Sequence, residues 1–356
     1  MSQILTERIR ALLVEETDAA RMKGVVVAAA LPGEEAEYLA LGTDASGREL
    51  TTDTLFSVAS ITKLATSLAV LRLVDRGRIS VDDPLSRHLP EADAAQEGVT
   101  VRRLLSHSAG MPIDPPSELA PYEPGLDWSV LARACKHTPP ERAPYGAVQY
   151  SNVGYGLLAL IVEKETGLDF PEALRDLVLR PLGIEGYLGE EPPRLPAQLT
   201  GVRGRHVGTP LEPFNSPFWR SLGMPWAGLV TTVAGALTLV RAFQGVPAGF
   251  LRAETVAEAT RNQNDDLSGG YVQPLFWKRC PWGLGPEIRG EKSPHWAPPE
   301  AGPTSFGHAG ASGCLAWADP ATGLSWAIMG SRTSDSGWLL RRGTVMSRAF
   351  LEAARG

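Results

Sequence analysis

The order of strand-like and helix-like segments restricts the fold of this chain more than any other feature. Short apolar runs typical of strands lie near both ends, and a long stretch with helical periodicity lies between them. Near the start, two such runs flank the turn sequence Pro32-Gly33-Glu34-Glu35, which predicts a β-hairpin. The predicted strands are Val25–Leu31, Glu37–Leu41, Gly283–Ile288, Cys314–Ala318 and Leu324–Met329.

This order predicts an α+β fold in which the two ends of the chain build one antiparallel sheet that is flanked by helices, with an all-α region inserted between them. We expect a discontinuous α/β sheet domain from residues 1–83 and 280–356, and a mainly helical insertion at residues 84–279. The predicted helices are residues 1–23, Ser60–Arg76, Leu104–Ser108, Ser129–Lys136, Gly154–Glu165, Phe170–Leu179, Leu229–Phe243 and Trp338–Ala354.

The composition excludes several classes of protein. Hydrophobic residues make up 43% of the 356 positions and charged residues 21%, which suits a large buried core and excludes disorder as the dominant state. The formal charge of −6 argues against a nucleic-acid partner. Cys135, Cys280 and Cys314 are odd in number and lack C-x-x-C spacing, so they fit neither a disulfide framework nor a thiolate zinc site. They favour a reducing compartment.

No segment of the sequence has the pattern of an export signal or a membrane span. Charged residues interrupt the apolar positions of the first helix, and apolar runs such as Leu157–Val162 are far shorter than the roughly 20 residues needed to cross a bilayer. We therefore predict a cytoplasmic protein with no membrane partner. The sequence does not predict an oligomeric state.

Ser60-Ile61-Thr62-Lys63 is a candidate catalytic motif at the start of a predicted buried helix. The lysine follows the serine by three residues, so both side chains lie on one face of the helix. A lysine whose pKa is lowered by desolvation can remove the serine proton, and the helix N-terminus favours an oxyanion. A chain of this length contains on the order of one Ser-x-x-Lys by chance, so a solvated lysine is the alternative interpretation.

Two further triplets add to this motif. Tyr150-Ser151-Asn152 lies just before the helix at Gly154, and its alternative interpretation is a core tyrosine followed by a capping asparagine. His308-Ala309-Gly310 lies at the start of the C-terminal strands, where a structural histidine is the alternative; His206-Val207-Gly208 is a similar triplet in a loop-like context. The six histidines lack metal-ligand spacing and no nucleotide-binding glycine motif occurs, so we expect no metal and no cofactor.

Taken together, Ser60-x-x-Lys63, Tyr150-x-Asn152 and His308-x-Gly310 resemble the motifs of the penicillin-recognising serine hydrolases. The resemblance is to the branch that holds class C β-lactamases, serine DD-peptidases and the family VIII esterases, and it extends over most of the chain. The segment Thr100–Pro112, for example, is similar to the L-L-x-H-x-S-G-x-P segment of this branch. The resemblance implies a β-lactamase/transpeptidase-like fold with the active site in the cleft between the two domains.

The resemblance also implies a role for each matching residue. Ser60 would be the acylated nucleophile and Lys63 would share its proton, while Tyr150 would act as a phenolate general base; which of Lys63 and Tyr150 is the base stays open. Asn152 would hold Lys63 and a substrate amide or carbonyl. The N–H groups of Ser60 and Ala311 would form the oxyanion hole, and His308 and Gly310 would contribute to the substrate site.

The third triplet limits the substrate class. The β-lactamases of this branch usually carry a lysine where this chain has His308, and a mostly neutral histidine should capture a substrate carboxylate less well. We therefore expect a carboxylesterase that acts on short acyl esters through a covalent acyl-enzyme. The alternatives are a D-amino-acid peptidase or amidase, a weak β-lactamase, an acyltransferase, and an inactive binding or assembly relative.

The predicted partner is a small ester or amide. Asp114 is a candidate polar contact for the substrate, although a loop carboxylate is more often simply solvated. Trp226 is a candidate member of an apolar acyl pocket. Other aromatic residues could line the same pocket, and ordinary core or loop packing is the alternative for most of them; they are Tyr122, Phe214, Phe218, Trp219 and the region Trp282–Trp296.

Overall fold

A six-stranded antiparallel sheet built from both ends of the chain forms the centre of the fold. The computed structural model describes residue 7 and residues 10–12, 22–271 and 274–355. The predicted helix over residues 1–23 therefore lies for the most part outside the described residues. The strands of the sheet are β1 Gly24–Ala30, β2 Glu37–Gly42, β9 Glu287–Ile288, β10 Phe306–Gly310, β11 Cys314–Ala318 and β12 Ser325–Gly330. They follow the order β2-β1-β12-β11-β10-β9 across the sheet.

Strand β1 joins the two ends of the chain, because it pairs with β2 on one side and with β12 on the other. This arrangement confirms the predicted fold class. The strand predicted over Gly283–Ile288 is mostly wrong, since only Glu287–Ile288 pair with β10. Gly285 has φ +117° and the Gly283 N–H donates to Pro286 O, so the segment before β9 turns back on itself. The boundaries of the domains stay a prediction.

Both faces of the sheet are covered, which explains why β1 is apolar at every position. Val25 and Val27 pack with Trp317, Trp326 and the C-terminal helix in one core cluster. Val26 and Ala28 face the opposite way and belong to the larger core cluster around the helical part of the chain. The alternation of side chains along a strand thus places one helical layer on each face.

Most of the α-helices of the described residues lie in the inserted region. The helices predicted over Ser129–Lys136 and Gly154–Glu165 agree with the structure to within one residue at each end, whereas the helix predicted over Leu104–Ser108 lies three residues earlier, at Val101–Leu105. Residues Arg175–Leu179 continue one of the helices as a π-helical turn, and Leu339–Gly343 form a π-helical turn before the last helix. The α-helices are α1 Thr62–Asp75, α2 Leu85–His88, α3 Val101–Leu105, α4 Trp128–Lys136, α5 Val153–Thr166, α6 Phe170–Leu174, α7 Pro217–Ser221, α8 Val233–Ala242, α9 Ala253–Ala259 and α10 Thr344–Arg355.

Two small three-stranded sheets lie largely in the inserted region, and only the strand Phe56–Ser57 precedes it. In one sheet β3 and β5 pair with β6, and in the other β4 and β8 pair with β7. The helix predicted over Leu229–Phe243 therefore begins four residues late, because its first part forms β6 and Thr232 caps α8 by accepting a hydrogen bond from Gly235 N. The short strands are β3 Phe56–Ser57, β4 Val148–Gln149, β5 Gly186–Tyr187, β6 Val230–Thr231, β7 Gly269–Gly270 and β8 Phe276–Trp277.

Across the described ranges, none of the helices combines the length and the apolar character that a membrane crossing requires.

Candidate active site

Ser60 lies in a short connection between β3 and α1. The connection is fixed on one side by the hydrogen bond from Val58 N to Leu229 O, 3.0 Å. Ala59 has φ +45°, a left-handed conformation that is uncommon for a residue with a side chain. Ser60 therefore lies within a 3-10 turn, Ala59–Ile61, rather than in the first turn of α1 as the sequence predicted. Such strained backbone is typical of functional sites.

Lys63 is fully buried and has three acceptors around its amine. The Nζ–Oγ distance to Ser60 is 3.4 Å, the Nζ–Oδ1 distance to Asn152 is 2.7 Å, and the Nζ–O distance to the carbonyl of Trp226 is 3.0 Å. Burial lowers the pKa of Lys63 well below its ordinary value, and the charge of Asp114 opposes this only in part. The site thus favours the neutral amine more than water does.

Tyr150 lies against Lys63 through its ring. The Lys63 Nζ is 4.6 Å from the centre of the Tyr150 ring, and no hydrogen bond joins it to the phenol oxygen. Burial raises the pKa of Tyr150 well above its ordinary value, although the nearby Ser60 side chain acts in the opposite direction. The Tyr150 hydroxyl nevertheless forms no hydrogen bond with the Ser60 side chain in this structure. In the free protein the phenol is therefore favoured over the predicted phenolate.

His107 holds the backbone on both sides of Tyr150. The His107 carbonyl accepts from Gln149 N at 2.8 Å, and its Nδ1 accepts from Ser151 N at 3.0 Å. Because the backbone N–H of Ser151 can only donate, Nδ1 of His107 carries the lone pair. Burial also lowers the pKa of His107 well below its ordinary value. The rings of His107 and Tyr150 also lie 4.6 Å apart. His107 is thus a structural residue, in line with its position in the L-L-x-H-x-S-G-x-P-like segment.

A second layer of buried polar side chains, which the sequence did not predict, lies behind Tyr150. The ring of Tyr271 lies 4.3 Å from that of Tyr150, and its hydroxyl donates to Glu287 Oε2 at 2.9 Å. Glu287 forms an ion pair with Lys292 at 2.8 Å, and both side chains are fully buried. His295 Nε2 lies 3.2 Å from the same carboxylate. No sequence pattern marks these residues, because their contacts depend on how β9 and the loops beside it fold.

The third triplet, His308–Gly310, runs from the buried side of the site towards the cavity. His308 is fully buried, with its Nδ1 donating to Ala309 O at 2.7 Å, and burial lowers its pKa to about 4. A Cβ atom on Gly310 would lie 2.3 Å from Val58 O, so glycine allows β10 to approach the segment before Ser60. Ala311 follows and reaches the open cavity.

Asn152 connects the buried lysine to the surface. It lies at the N-cap position of α5 but makes no capping bond with its side chain, so the capping interpretation is wrong. Its Oδ1 accepts from Lys63, and its Nδ2 donates to Asp114 Oδ1 at 2.7 Å. Asn152 N also donates to Ile113 O, which holds the Asp114 segment beside it.

Ser60 opens into a cavity of about 740 Å³ that collects several of the predicted residues. Ser60, Asp114, Asn152, Trp226 and Ala311 line it, whereas the described side chains of Lys63, Tyr150 and His308 lie behind its surface. Of the predicted aromatic residues, Tyr122, Phe214 and Trp219 also line it, and Phe218 packs on Tyr122. The region Trp282–Trp296 does not contribute to this cavity, and Trp282 instead packs beside Tyr150. The other lining residues are Ala59, Pro115, Ser117, Ala120, Pro121, Glu123, Leu126, Leu131, Arg205, Leu222, Met224 and Ala227.

Other features of the described residues offer less chemistry. A cavity of about 340 Å³ beside Leu31 and Phe243 contains none of the predicted site residues. Within the described ranges no three His, Cys, Asp or Glu side chains come together as a metal site requires. The three cysteines are buried and unpaired, and burial raises the pKa of each thiol.

The sequence and the fold of the chain are similar to those of several known proteins. A profile of the family described as "Beta-lactamase" matches residues 9–343. The esterase EstB of Burkholderia gladioli is 30% identical over 366 aligned positions, covering 90% of this chain and 89% of EstB. Penicillin-binding protein 4 of Amycolatopsis lactamdurans is 30% identical over 285 positions, covering 75% of this chain and 69% of that protein. The D-amino acid amidase of Ochrobactrum anthropi SV3 shares the fold, with a TM-score of 0.76, 23% identity and 99% coverage of both chains.

Proposed function

The chain belongs to the beta-lactamase family, a family of serine hydrolases, and from this premise we propose that it is a serine carboxylesterase acting on short acyl esters. One observation carries the proposal. The Ser60 hydroxyl lies beside the buried Lys63 amine and faces a cavity with a largely apolar wall. The name of the relative that aligns along almost the full chain, an esterase, supports the same reaction class.

In the first chemical step, Ser60 Oγ would attack the ester carbonyl while its proton passes to Lys63 Nζ. The neutral form of Lys63 suits this role, because its two N–H groups can bond to Asn152 Oδ1 and Trp226 O while the lone pair is left for the Ser60 hydroxyl. The backbone N–H groups of Ser60 and Ala311, both on the cavity wall, would stabilise the oxyanion.

Collapse of the tetrahedral intermediate breaks the bond to the leaving alcohol. Tyr150 is protonated in the free protein and lies beside Lys63, so we propose that it donates its phenol proton to the leaving oxygen. The proton held by Lys63 then restores the phenol. Water attacks the acyl-enzyme in the second half of the reaction, gives its proton to Lys63, and Ser60 leaves with a proton.

The cavity favours neutral acyl groups over substrates with a carboxylate. His308 is buried, and its low pKa keeps it uncharged at neutral pH, so it supplies no cation for a carboxylate. On the cavity wall, the carboxylates of Asp114 and Glu123 would repel one and the guanidinium of Arg205 would attract one, so the charged side chains of the wall are negative on balance. Trp219, Trp226 and other apolar side chains instead offer a surface for an acyl chain.

Turnover of p-nitrophenyl butyrate, with the intact mass of the protein measured in parallel, tests the proposal. We expect a butyryl adduct on the native protein and a loss of at least about a thousandfold in turnover for Ser60→Ala. Ser117→Ala is the matched control, since this serine lines the same cavity, and it should keep wild-type turnover. Benzylpenicillin should label Ser60 slowly without rapid hydrolysis. Full turnover by Ser60→Ala would rule out the proposed nucleophile.

A second candidate is an amidase or peptidase that acts on substrates bearing an amine. Asp114 favours it, because only its Oδ1 is bonded to Asn152 and a substrate ammonium could reach Oδ2 from the cavity. The amidase that shares the fold supports the same class. The amide of D-phenylalanine tests this candidate: a kcat/KM above that for p-nitrophenyl butyrate would favour the amidase over the esterase.

A further inference from the structure

The side chains of Lys63, Asn152 and Asp114 form a continuous chain of hydrogen bonds from the buried amine to the cavity. Lys63 Nζ donates to Asn152 Oδ1, and Asn152 Nδ2 donates to Asp114 Oδ1, each at 2.7 Å. A carboxylate offers only acceptors, so the amide of Asn152 must turn its NH2 group towards Asp114. Its carbonyl oxygen is thereby fixed on the side of Lys63.

The orientation of this amide decides where the lone pair of a neutral Lys63 points. With the amide oxygen facing Nζ, both N–H groups of the neutral amine are taken by Asn152 Oδ1 and Trp226 O, and the lone pair is left for Ser60 Oγ. If the amide were reversed, its NH2 group would face Nζ and would donate into the same lone pair. Ser60 would then lose its proton acceptor.

We propose that Asp114 is a positioning residue, which orients the amide of Asn152 so that the Lys63 amine directs its lone pair at the Ser60 hydroxyl. This inference rests on the proposed role of Ser60 as the nucleophile. It differs from a role of Asp114 as a substrate contact. A contact would change the KM for amine-bearing substrates, whereas a positioning residue changes kcat even for a neutral ester.

The charge of Asp114 gives the proposal a second readout. Lys63 is surrounded by Ser60, Tyr150, Tyr155, Asn152 and the Trp226 carbonyl. His107 and His308 lie beyond Tyr150, with the Glu287–Lys292 ion pair behind them. Asp114 is the carboxylate that raises the pKa of Lys63 against the effect of burial. Removing this charge should lower the pKa of Lys63 further, and the acid limb of the pH–rate profile should move to lower pH.

The test compares Asp114→Ala, Asp114→Asn and the control Asp176→Asn on p-nitrophenyl butyrate across pH. Asp176→Asn removes the same kind of charge from an exposed pair with Arg180, and Asp176 does not line the cavity. We expect Asp114→Ala to lower kcat about tenfold with KM changed less than twofold. Asp114→Asn should keep more of kcat, because its amide oxygen can still accept from Asn152, yet show the shifted acid limb. Asp176→Asn should change neither kcat nor the acid limb.

The rate at which a fluorophosphonate modifies Ser60 separates failure of this inference from failure of the esterase proposal. The probe reports activation of the serine without requiring an ester substrate. Slower modification of Asp114→Ala than of wild type and Asp176→Asn supports the inference even if esters prove poor substrates. Equal rates in all three proteins, or an unchanged kcat and pH profile, would overturn it. If the probe does not modify Ser60 in the native protein, both the nucleophile and this inference fail.

Discussion

The buried ion pair behind Tyr150 should make a single substitution, Glu287→Gln, unusually costly. The side chains of Glu287 and Lys292 are both fully buried, and Lys292 Nζ lies 2.8 Å from Glu287 Oε1. The Lys292 amine also donates to Pro281 O at 2.9 Å. The substitution keeps the shape and an acceptor for Tyr271 but leaves the ammonium of Lys292 without its counter-charge. Removing one partner of a buried pair typically costs about 3–5 kcal/mol, out of a total stability of about 5–15 kcal/mol.

The double substitution Glu287→Gln with Lys292→Met should restore most of this loss. Once the ammonium is gone no charge is left unpaired, and the methionine can fill the space between Trp277 and Trp282, whose ring centres lie 5.0 and 4.9 Å from Lys292 Nζ. We expect the double variant to cost less than about 2 kcal/mol. Asp176→Asn is the control for charge alone, because it breaks an exposed pair with Arg180 and should cost about 0–1 kcal/mol.

Urea unfolding followed by tryptophan fluorescence measures these differences. The reasoning is refuted if Glu287→Gln costs no more than Asp176→Asn, or if the double variant is less stable than Glu287→Gln. The pH dependence provides a second check. Burial by itself would raise the pKa of Glu287, but Lys292 and His295 outweigh it and hold the pKa well below its ordinary value. The stabilisation is therefore present above the unfolded pKa of about 4.3 and is lost as the pH falls below it, more steeply in wild type than in Glu287→Gln.

Three further predictions concern the strand next to the site and the pH range of stability. Gly310→Ala should abolish esterase activity, because the added Cβ would lie 2.3 Å from Val58 O. Gly154→Ala should keep activity and add about 0.5–1 kcal/mol of stability, because its Cβ would lie within a helix at an ordinary 3.5 Å from the Leu104 side chain. Activity assays and urea unfolding of the two variants check both predictions. Burial lowers the pKa of His308 to about 4. Between about pH 6.5 and 4 this imidazole is therefore protonated in the unfolded chain and neutral in the folded protein. Wild type should lose about 3 kcal/mol of stability across this window from this residue, and His308→Gln should lose correspondingly less in urea unfolding at pH 7 and pH 4.5.

Local patterns in the sequence were enough to predict the strands β1, β2, β11 and β12 and the pairing of Ser60 with Lys63, whereas β10 was missed. The turn Asp319–Gly323 between β11 and β12 and the hairpin of β1 and β2 are encoded by residues close together in the chain. The spacing of Ser60 and Lys63 needs only one helical turn, and their side chains do meet. Periodicity and turn chemistry determine such features without reference to the rest of the fold.

Features that depend on distant parts of the chain could not be predicted in this way. The strand order places β12 beside β1, and the short strand β6 replaces the start of a predicted helix because it pairs with β3, far away in sequence. The apolar residues of β6 fit a buried helix as well as a buried strand, so periodicity could not distinguish the two. Tertiary pairing decides between them.

The same distinction applies within the candidate site. The sequence motifs bring together the groups that resemble a nucleophile and its base, but the contacts that set their protonation come from elsewhere. Asp114 reaches Asn152 across 38 residues, and Tyr271 reaches Glu287 through a loop that no motif marks. Since burial favours a neutral amine at Lys63 and a neutral phenol at Tyr150, the surrounding residues decide which of the two takes the proton of Ser60. We propose that in this protein they favour Lys63, with Asp114 and Asn152 orienting its amine, and that Tyr150 supplies a proton to the leaving group.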